Sequence, residues 1–242
     1  MLETHTIFDG EQSDAASSHR VTDIKEAVRD RNRVNIYVDD KFYCSLDISQ
    51  VVDYGIKVGR ELSAEDLADL KRASDFGKFY GRALEYVLMR PHSTKEIRDY
   101  LKRKTLDKKV RTKNPKTGEY QTKTRQGYDS SLVPLVLERL EQHGYLDDER
   151  FARVWAENRH AKKGISNRKL REELAEKGIS KDIVDAVLQD GARDEREELR
   201  KVIARKANRY ADRQKLMQYL VRQGFNYSDV SEELSTFSSE GA

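Results

Sequence analysis

A nine-residue pattern that returns three times constrains this chain more than any other feature. Ser93-Thr-Lys-Glu-Ile97-Arg-Asp-Tyr-Leu101, Ser166-Asn-Arg-Lys-Leu170-Arg-Glu-Glu-Leu174 and Asp212-Arg-Gln-Lys-Leu216-Met-Gln-Tyr-Leu220 each open on a helix-capping residue. Each then sets an aliphatic side chain at the fourth and eighth positions after it, one above the other on a helix face. The second and third copies close on Lys177-Gly178-Ile179 and Gln223-Gly224-Phe225, a C-terminal glycine followed by an apolar anchor. An apolar helical stretch precedes every copy, at Ala83–Leu88, Phe151–Trp155 and Leu199–Ile203, and another follows, at Leu132–Leu140, Ile183–Leu188 and Val230–Leu234. The pattern predicts a mainly α fold of three tandem three-helix units, stacked in an elongated array because no unit of this size buries its apolar face alone.

The composition fits such a row. Charged residues make up 37% of the chain and apolar residues 37%, too few for one thick core and enough for several thin ones. The expected organisation is a disordered tail at 1–18, a small β-hairpin and helix subdomain at 19–74, and three-helix units at 75–146, 147–190 and 191–236. A short tail at 237–242 ends it. In the subdomain, Val34, Ile36 and Val38 alternate with polar or half-polar neighbours up to Asp39-Asp40, and Phe42, Cys44 and Leu46 alternate beyond it. This reads as a hairpin with a two-residue turn. Thr22–Val28 supplies a third strand with Ile24 inward, and Ser49–Tyr54 a short helix stopped by Gly55. Ser63 with Asp66 then starts a helix carrying Leu67 and Leu70.

The copies are unevenly spaced, with 73 residues between Ser93 and Ser166 but 46 between Ser166 and Asp212. The excess lies at 105–130 and reads as a second hairpin, Val110–Lys113 and Glu119–Thr124 around Asn114-Pro-Lys-Thr-Gly118. Its charge is the main electrostatic feature of a chain whose net charge is only +3. Lys102, Arg103, Lys104, Lys108, Lys109, Arg111, Lys113, Lys116, Lys123 and Arg125 stand against Asp107 and Glu119, a net of +8, with Tyr120 and Tyr128 interleaved. Lysine and arginine neutralise phosphates and aromatic rings stack on unpaired bases, so these cations and Tyr120 are the candidate partner or DNA contacts. The plainer alternative is a solvated edge hairpin kept from aggregating by its lysines.

Signs of catalysis are missing. Gly77-Lys78 lacks the glycine five residues earlier and the Ser or Thr after lysine that a phosphate loop needs, Arg72 and Phe79 standing there instead. The five histidines have no metal or triad spacing, and the single Cys44 permits no internal disulfide, in keeping with a reducing compartment. Asp147-Asp148-Glu149 reads as a helix cap and its dipole-complementing first turn. No catalytic, cofactor-binding or metal-binding residue is expected, and the chain is read as a non-enzyme. Without a long apolar run or a signal-peptide start it is expected to be cytoplasmic and without a membrane contact.

Certain segments in their order resemble the RecX family of RecA regulators. They are Ala83–Arg90 with Ser93–Ile97 and Leu101, then Leu140-Glu-Gln-His-Gly144-Tyr145-Leu146-Asp147-Asp148-Glu149-Arg-Phe151-Ala152. Lys163-Gly164, Leu170-Arg171, Leu174 and Lys177-Gly178-Ile179 follow. The hairpin at Arg33–Asp39 with Lys41-Phe42 is similar to the N-terminal extension of longer members. The resemblance runs from about Val21 to Leu234. It implies a regulator, acting in homologous recombination and the DNA-damage response, that binds the RecA–DNA filament. There it would inhibit ATP turnover, strand exchange and filament growth. The chain itself is expected to be a monomer. The rival reading, from capped short helices and the basic hairpin, is a helical-repeat protein that binds DNA directly.

Overall fold

The structure is a computed structural model that describes residues 18–28, 30–115, 117–190, 194–210 and 212–240. The tail read at 1–18 lies outside them except for Ser18. The chain divides into two compact units, one ending at Gly81 and one beginning at Arg82, and each is taken by itself.

The first unit is a four-stranded antiparallel sheet in the order β3-β2-β1-β4, formed by β1 (His19–Ala27), β2 (Asp30–Val38), β3 (Lys41–Asp47) and β4 (Glu61–Leu62). The fourth strand corrects the three-strand reading. Its two residues pair only with His19 and Arg20, too short a segment for alternation to register. The Asp39-Asp40 turn has positive φ at both residues, 49° and 61°, the backbone of a type I′ hairpin. Aspartate is among the few non-glycine residues that tolerate this region, and local polar contacts fix it. Here Asp39 accepts from the Arg20 amide and faces the His19 ring at 2.7 Å, while the Asp40 amide donates to Thr22 Oγ1. β1 therefore holds the turn that joins β2 to β3.

Val21, Ile36, Cys44, Leu46, Leu62 and Leu70 form the buried core of this sheet, with Ile24 at its margin. At the start of α1 (Ile48–Asp53) the Asp47 amide donates to Gln50 Oε1 at 3.0 Å. The start of α2 (Ala64–Met89) lies over the sheet, where Ser74 Oγ donates to Ser45 O at 2.8 Å and Tyr43 donates to Leu67 O at 2.7 Å. The expected boundary at 74/75 falls inside this one continuous helix. Gly77 does not break it. An added Cβ there would sit 3.0 Å from the Arg33 guanidinium and 3.1 Å from the Asp47 carboxylate, so the glycine serves close approach.

The second unit holds the repeats. α3 (Thr94–Lys104) and α4 (Leu132–Gln142) follow the last turns of α2, with Ala83, Ile97, Leu101, Val136 and Leu140 buried. α5 (Asp148–Lys163), α6 (Asn167–Glu176) and α7 (Lys181–Asp190) enclose Phe151, Leu170, Leu174, Ile179 and Val184. α8 (Glu195–Lys206), α9 (Arg213–Arg222) and α10 (Tyr227–Glu240) enclose Leu199, Ile203, Leu216, Leu220, Phe225 and Val230. All six aliphatic positions of the nine-residue pattern are thus buried. Ser93, Ser166 and Asp212 each cap their helix, accepting from the amides of Glu96, Lys169 and Gln214. The segment read as a tail from 237 begins inside α10.

Successive units are joined by one arrangement used twice. Ser93 Oγ donates to the Lys177 carbonyl, and Ser166 Oγ donates to the Gln223 carbonyl. The amide of Thr94 donates to Asp148 Oδ1 in the next unit, and that of Asn167 to Glu195 Oε1, each at 2.8 Å. Orphan donors at one helix start and orphan carbonyls at another helix end thereby satisfy each other across the joint. Asp147 caps α5, as read from sequence, whereas Asp148 also reaches across to the preceding unit.

Candidate nucleic-acid interface

Between α3 and α4 the chain leaves the helical pattern as a two-stranded hairpin, β5 (Lys108–Lys113) paired with β6 (Tyr120–Arg125). The turn is closed by Asn114 N to Glu119 O at 2.8 Å and Gly118 N to Asn114 O at 2.9 Å, with Gly118 at φ +72°. The first strand begins two residues earlier than the sequence indicated and the second is shifted by one at equal length, and every residue of both is exposed. No buried core is formed by the twelve residues of these strands.

Cross-strand partners share a face, and the register sorts the cations into two sets. Lys108 opposite Arg125 and Val110 opposite Lys123 occupy one face. Lys109, Arg111 and Lys113 occupy the other, with Tyr120 opposite Lys113. The Arg111 guanidinium lies 4.3 Å from the centre of the Tyr120 ring, a cation–π contact that presents a flat, charged platform. Among the described residues, none of these six strand cations forms an ion pair with a carboxylate. Like charges directly opposite, as Lys108 and Arg125 are, oppose strand pairing. A hairpin shaped only to avoid aggregation needs some lysine but not this self-repulsion.

The other sequence candidates lie at or beyond the hairpin's ends. Lys102, Arg103 and Lys104 form the last turn of α3, where cations also suit the helix dipole. Lys102 and Arg103 are exposed, while Lys104 is half-buried with its ammonium 5.0 Å from the Tyr100 ring. Lys116 lies outside the described residues. The structure therefore gathers Lys104, Lys108 and Arg125 at the hairpin root and spreads the remaining strand cations outward along it.

The root is fixed to the helices by backbone contacts. Tyr128 N donates to Lys104 O at 3.0 Å, and Gly127 N to Asp107 Oδ1 at 3.0 Å. Gly127 lies so close to the end of α3 that a Cβ would come within 2.1 Å of Thr105 O. Sequence reasoning missed Arg82, which reaches the root from α2 and donates through Nε to the Tyr128 hydroxyl at 3.1 Å. Nothing local in the sequence marks it, since the two residues are 46 positions apart.

Three other side chains singled out in the sequence lie in packing contacts. His92 is buried with Nδ1 2.6 Å from Arg90 O, and burial lowers its pKa. Trp155 packs beside Phe151 and donates to Glu173 Oε2. Cys44 is fully buried in the sheet core, which pushes its thiol pKa up to about 11. Among the described residues no cluster of three or more His, Cys, Asp or Glu side chains is placed to hold a metal. Among them, too, no helix is long and apolar enough to cross a membrane.

Comparison with known proteins decides the family. Residues 19–63 match the regulatory protein RecX N-terminal domain, residues 147–188 the RecX second three-helix domain, and residues 194–234 the RecX third three-helix domain. Together these segments span more than half of the chain. The chain belongs to the RecX family. Regulatory protein RecX of Bacillus licheniformis is 27% identical over 221 residues, which cover 88% of this chain and 76% of that one. Regulatory protein RecX of Clostridium acetobutylicum is 26% identical over 231 residues, covering 91% and 97%. A crystal structure of regulatory protein RecX superposes with a TM-score of 0.69 at 21% identity, over 90% of this chain and 99% of that one. The RecX structure from Lactobacillus salivarius gives 0.50 at 20% identity, over 68% and 99%. The fold, tandem RecX three-helix domains with a small N-terminal antiparallel sheet, is therefore shared with solved members.

Proposed function

We propose that this chain regulates a RecA-type recombinase by binding its DNA filament, inhibiting ATP turnover, strand exchange and filament growth. It acts in the cytoplasm as a monomer, by contact and not through a reaction of its own. Membership of a family of regulatory proteins supports the regulatory role. The observation that carries the filament reading is the basic hairpin. Six exposed cations, unpaired with carboxylates among the described residues, stand on two strands that no core requires. A nucleoprotein filament offers them a regular row of phosphates, whose counterions are released on contact.

One observation favours the second reading, direct DNA binding. The Arg111–Tyr120 platform is the kind of surface on which an unpaired base stacks. The two readings separate in a single experiment. Full-length protein is titrated onto fluorescent single-stranded DNA, bare and recombinase-coated, across a salt series. Filament regulation requires tighter binding to the coated strand, weakened by K109E/R111E/K113E. Equal or tighter binding to the bare strand supports the direct reader. Binding to the coated strand that the triple variant leaves unchanged at every salt concentration removes the hairpin from the interface.

A further inference from the structure

The hairpin's two faces are not equivalent. One of them closes over a small pocket at its root, inside the second compact unit, lined by Arg82, Lys104, Lys108 and Arg125 together with Gly127 and Tyr128. These four cations come from three separate places in the chain: α2, the last residue of α3, and the paired ends of β5 and β6. Among the described residues none of the four is ion-paired with a carboxylate. The acidic residue between α3 and β5, Asp107, is engaged at the Gly127 amide, 3.0 Å away. The cavity volume is about 120 Å³. That is well below the roughly 300–1,000 Å³ of a pocket for a whole small molecule.

We infer that this pocket is a phosphate-binding subsite that takes one phosphate group of a DNA strand and seats the strand at the root of the hairpin. The inference rests on the reading of the hairpin as a DNA-contacting element and gives that contact a fixed starting point. Four positive charges converging with no carboxylate paired to any of them, among the described residues, are costly unless an anion joins them. Lys104 shows this. Its pKa is lowered first by burial and then by repulsion from Lys108, Arg82 and Arg125. Of the two arginines in the site, Arg82 is preset, because the Tyr128 hydroxyl accepts from its Nε at 3.1 Å and the Tyr100 hydroxyl donates to its backbone carbonyl at 3.3 Å. A guanidinium held in this way keeps its outer N–H groups for an oxyanion, which it binds in a fork. Lys123 lies next along the same face as Lys108 and Arg125, so a backbone leaving the pocket meets a further cation on the strand. The pocket is thus a register point, while the exposed cations beyond it act through charge alone.

The test is an NMR titration of the isotope-labelled full chain, following the amides of Gly127 and Tyr128 and the Arg82 Nε–H. Inorganic phosphate is added at constant ionic strength, with chloride as control, and then a single-stranded oligothymidylate. The expected result is a saturable shift of the root signals with both, reached at far lower concentration with the oligonucleotide. R82Q should abolish it while the Val110 and Thr122 amides keep their positions, which reports an intact hairpin. R82Q should also weaken oligonucleotide binding several-fold more than K109Q on the opposite face. Root signals that saturate with phosphate but ignore the oligonucleotide would assign the site to a free phosphate and overturn its role in seating DNA. Oligonucleotide shifts confined to the outer hairpin, with the root silent, would overturn the pocket and leave the hairpin reading intact. Silence throughout would overturn both.

Discussion

The Ser93 hydroxyl donates to the carbonyl of Lys177, 84 residues away, at 2.8 Å. Ser166 repeats the bond to Gln223 at 2.6 Å, so each serine closes its own helix start and the helix end of the next unit with one oxygen. Asp212, the third member of the series, caps Gln214 and, among the described residues, reaches no further unit. A carboxylate cannot donate to a carbonyl, so the last position of the row is chemically closed to this joint.

Ser93→Ala and Ser166→Ala should therefore each cost more than Asp212→Ala. Loss of the cap alone costs about 0.5–2 kcal/mol, and the stranded carbonyl adds about 1–3 kcal/mol. Thermal unfolding should show both serine variants melting several degrees below D212A. Equal shifts for the three variants would mean that the joints carry no stability.

Two glycines should respond with opposite sign. Gly178 has φ +81° and faces Lys95, whose Cβ would lie 2.8 Å from an added methyl. Gly178→Ala should destabilise by more than about 1 kcal/mol. Gly81 lies within α2 with nothing within 4 Å of an added Cβ. Gly81→Ala should stabilise by about 0.5–1 kcal/mol. Denaturant midpoints of the two variants check both, and a destabilised G81A would place an unseen contact at that position.

Cys44 should be inert in the native protein. Burial raises its thiol pKa to about 11, against 9.0 for an ordinary thiol. A raised folded-state pKa means that this stabilisation is complete below pH 9 and declines from pH 9 to 11, as the unfolded chain ionises first. A thiol reagent at pH 8 should label the protein only as fast as the sheet opens, and Cys44→Ala should flatten the alkaline loss of stability. Rapid labelling without denaturant would contradict the burial.

Removing hairpin cations should reduce the salt dependence of filament binding, not merely its strength. Each phosphate of single-stranded DNA that the protein no longer neutralises lowers the slope of log K against log salt by about 0.7. K109E/R111E/K113E should thus cut it by up to about 2, read from affinities between low and physiological salt. A weaker complex with the original slope would point to a change of fold.

The repeats were legible because each carries a capping residue and aliphatics four apart, and the second and third also close on a positive-φ glycine. Tertiary packing agreed with all of them. The basic hairpin was legible from Asn114-Pro-Lys-Thr-Gly118 and its charge. What escaped depends on residues distant in sequence. β4 is two residues long and exists only as a partner of β1. The cross-unit use of Asp148 and Glu195 hides behind ordinary helix-start chemistry. Arg82 sits amid an apolar helical stripe, and only the folded chain brings it to Tyr128. Gly77 resembles a weak point in a helix, yet the chain runs on through it beneath Arg33 and Asp47.

The most direct measurement is ATP turnover by the host recombinase on single-stranded DNA while the full-length protein is titrated into preformed filaments. Regulation by filament binding requires turnover to fall at amounts well below one molecule per recombinase subunit, with K109E/R111E/K113E shifting the titration to higher concentration. Unchanged turnover, alongside tight binding to bare DNA, would contradict the filament account and leave a direct DNA-binding protein in its place.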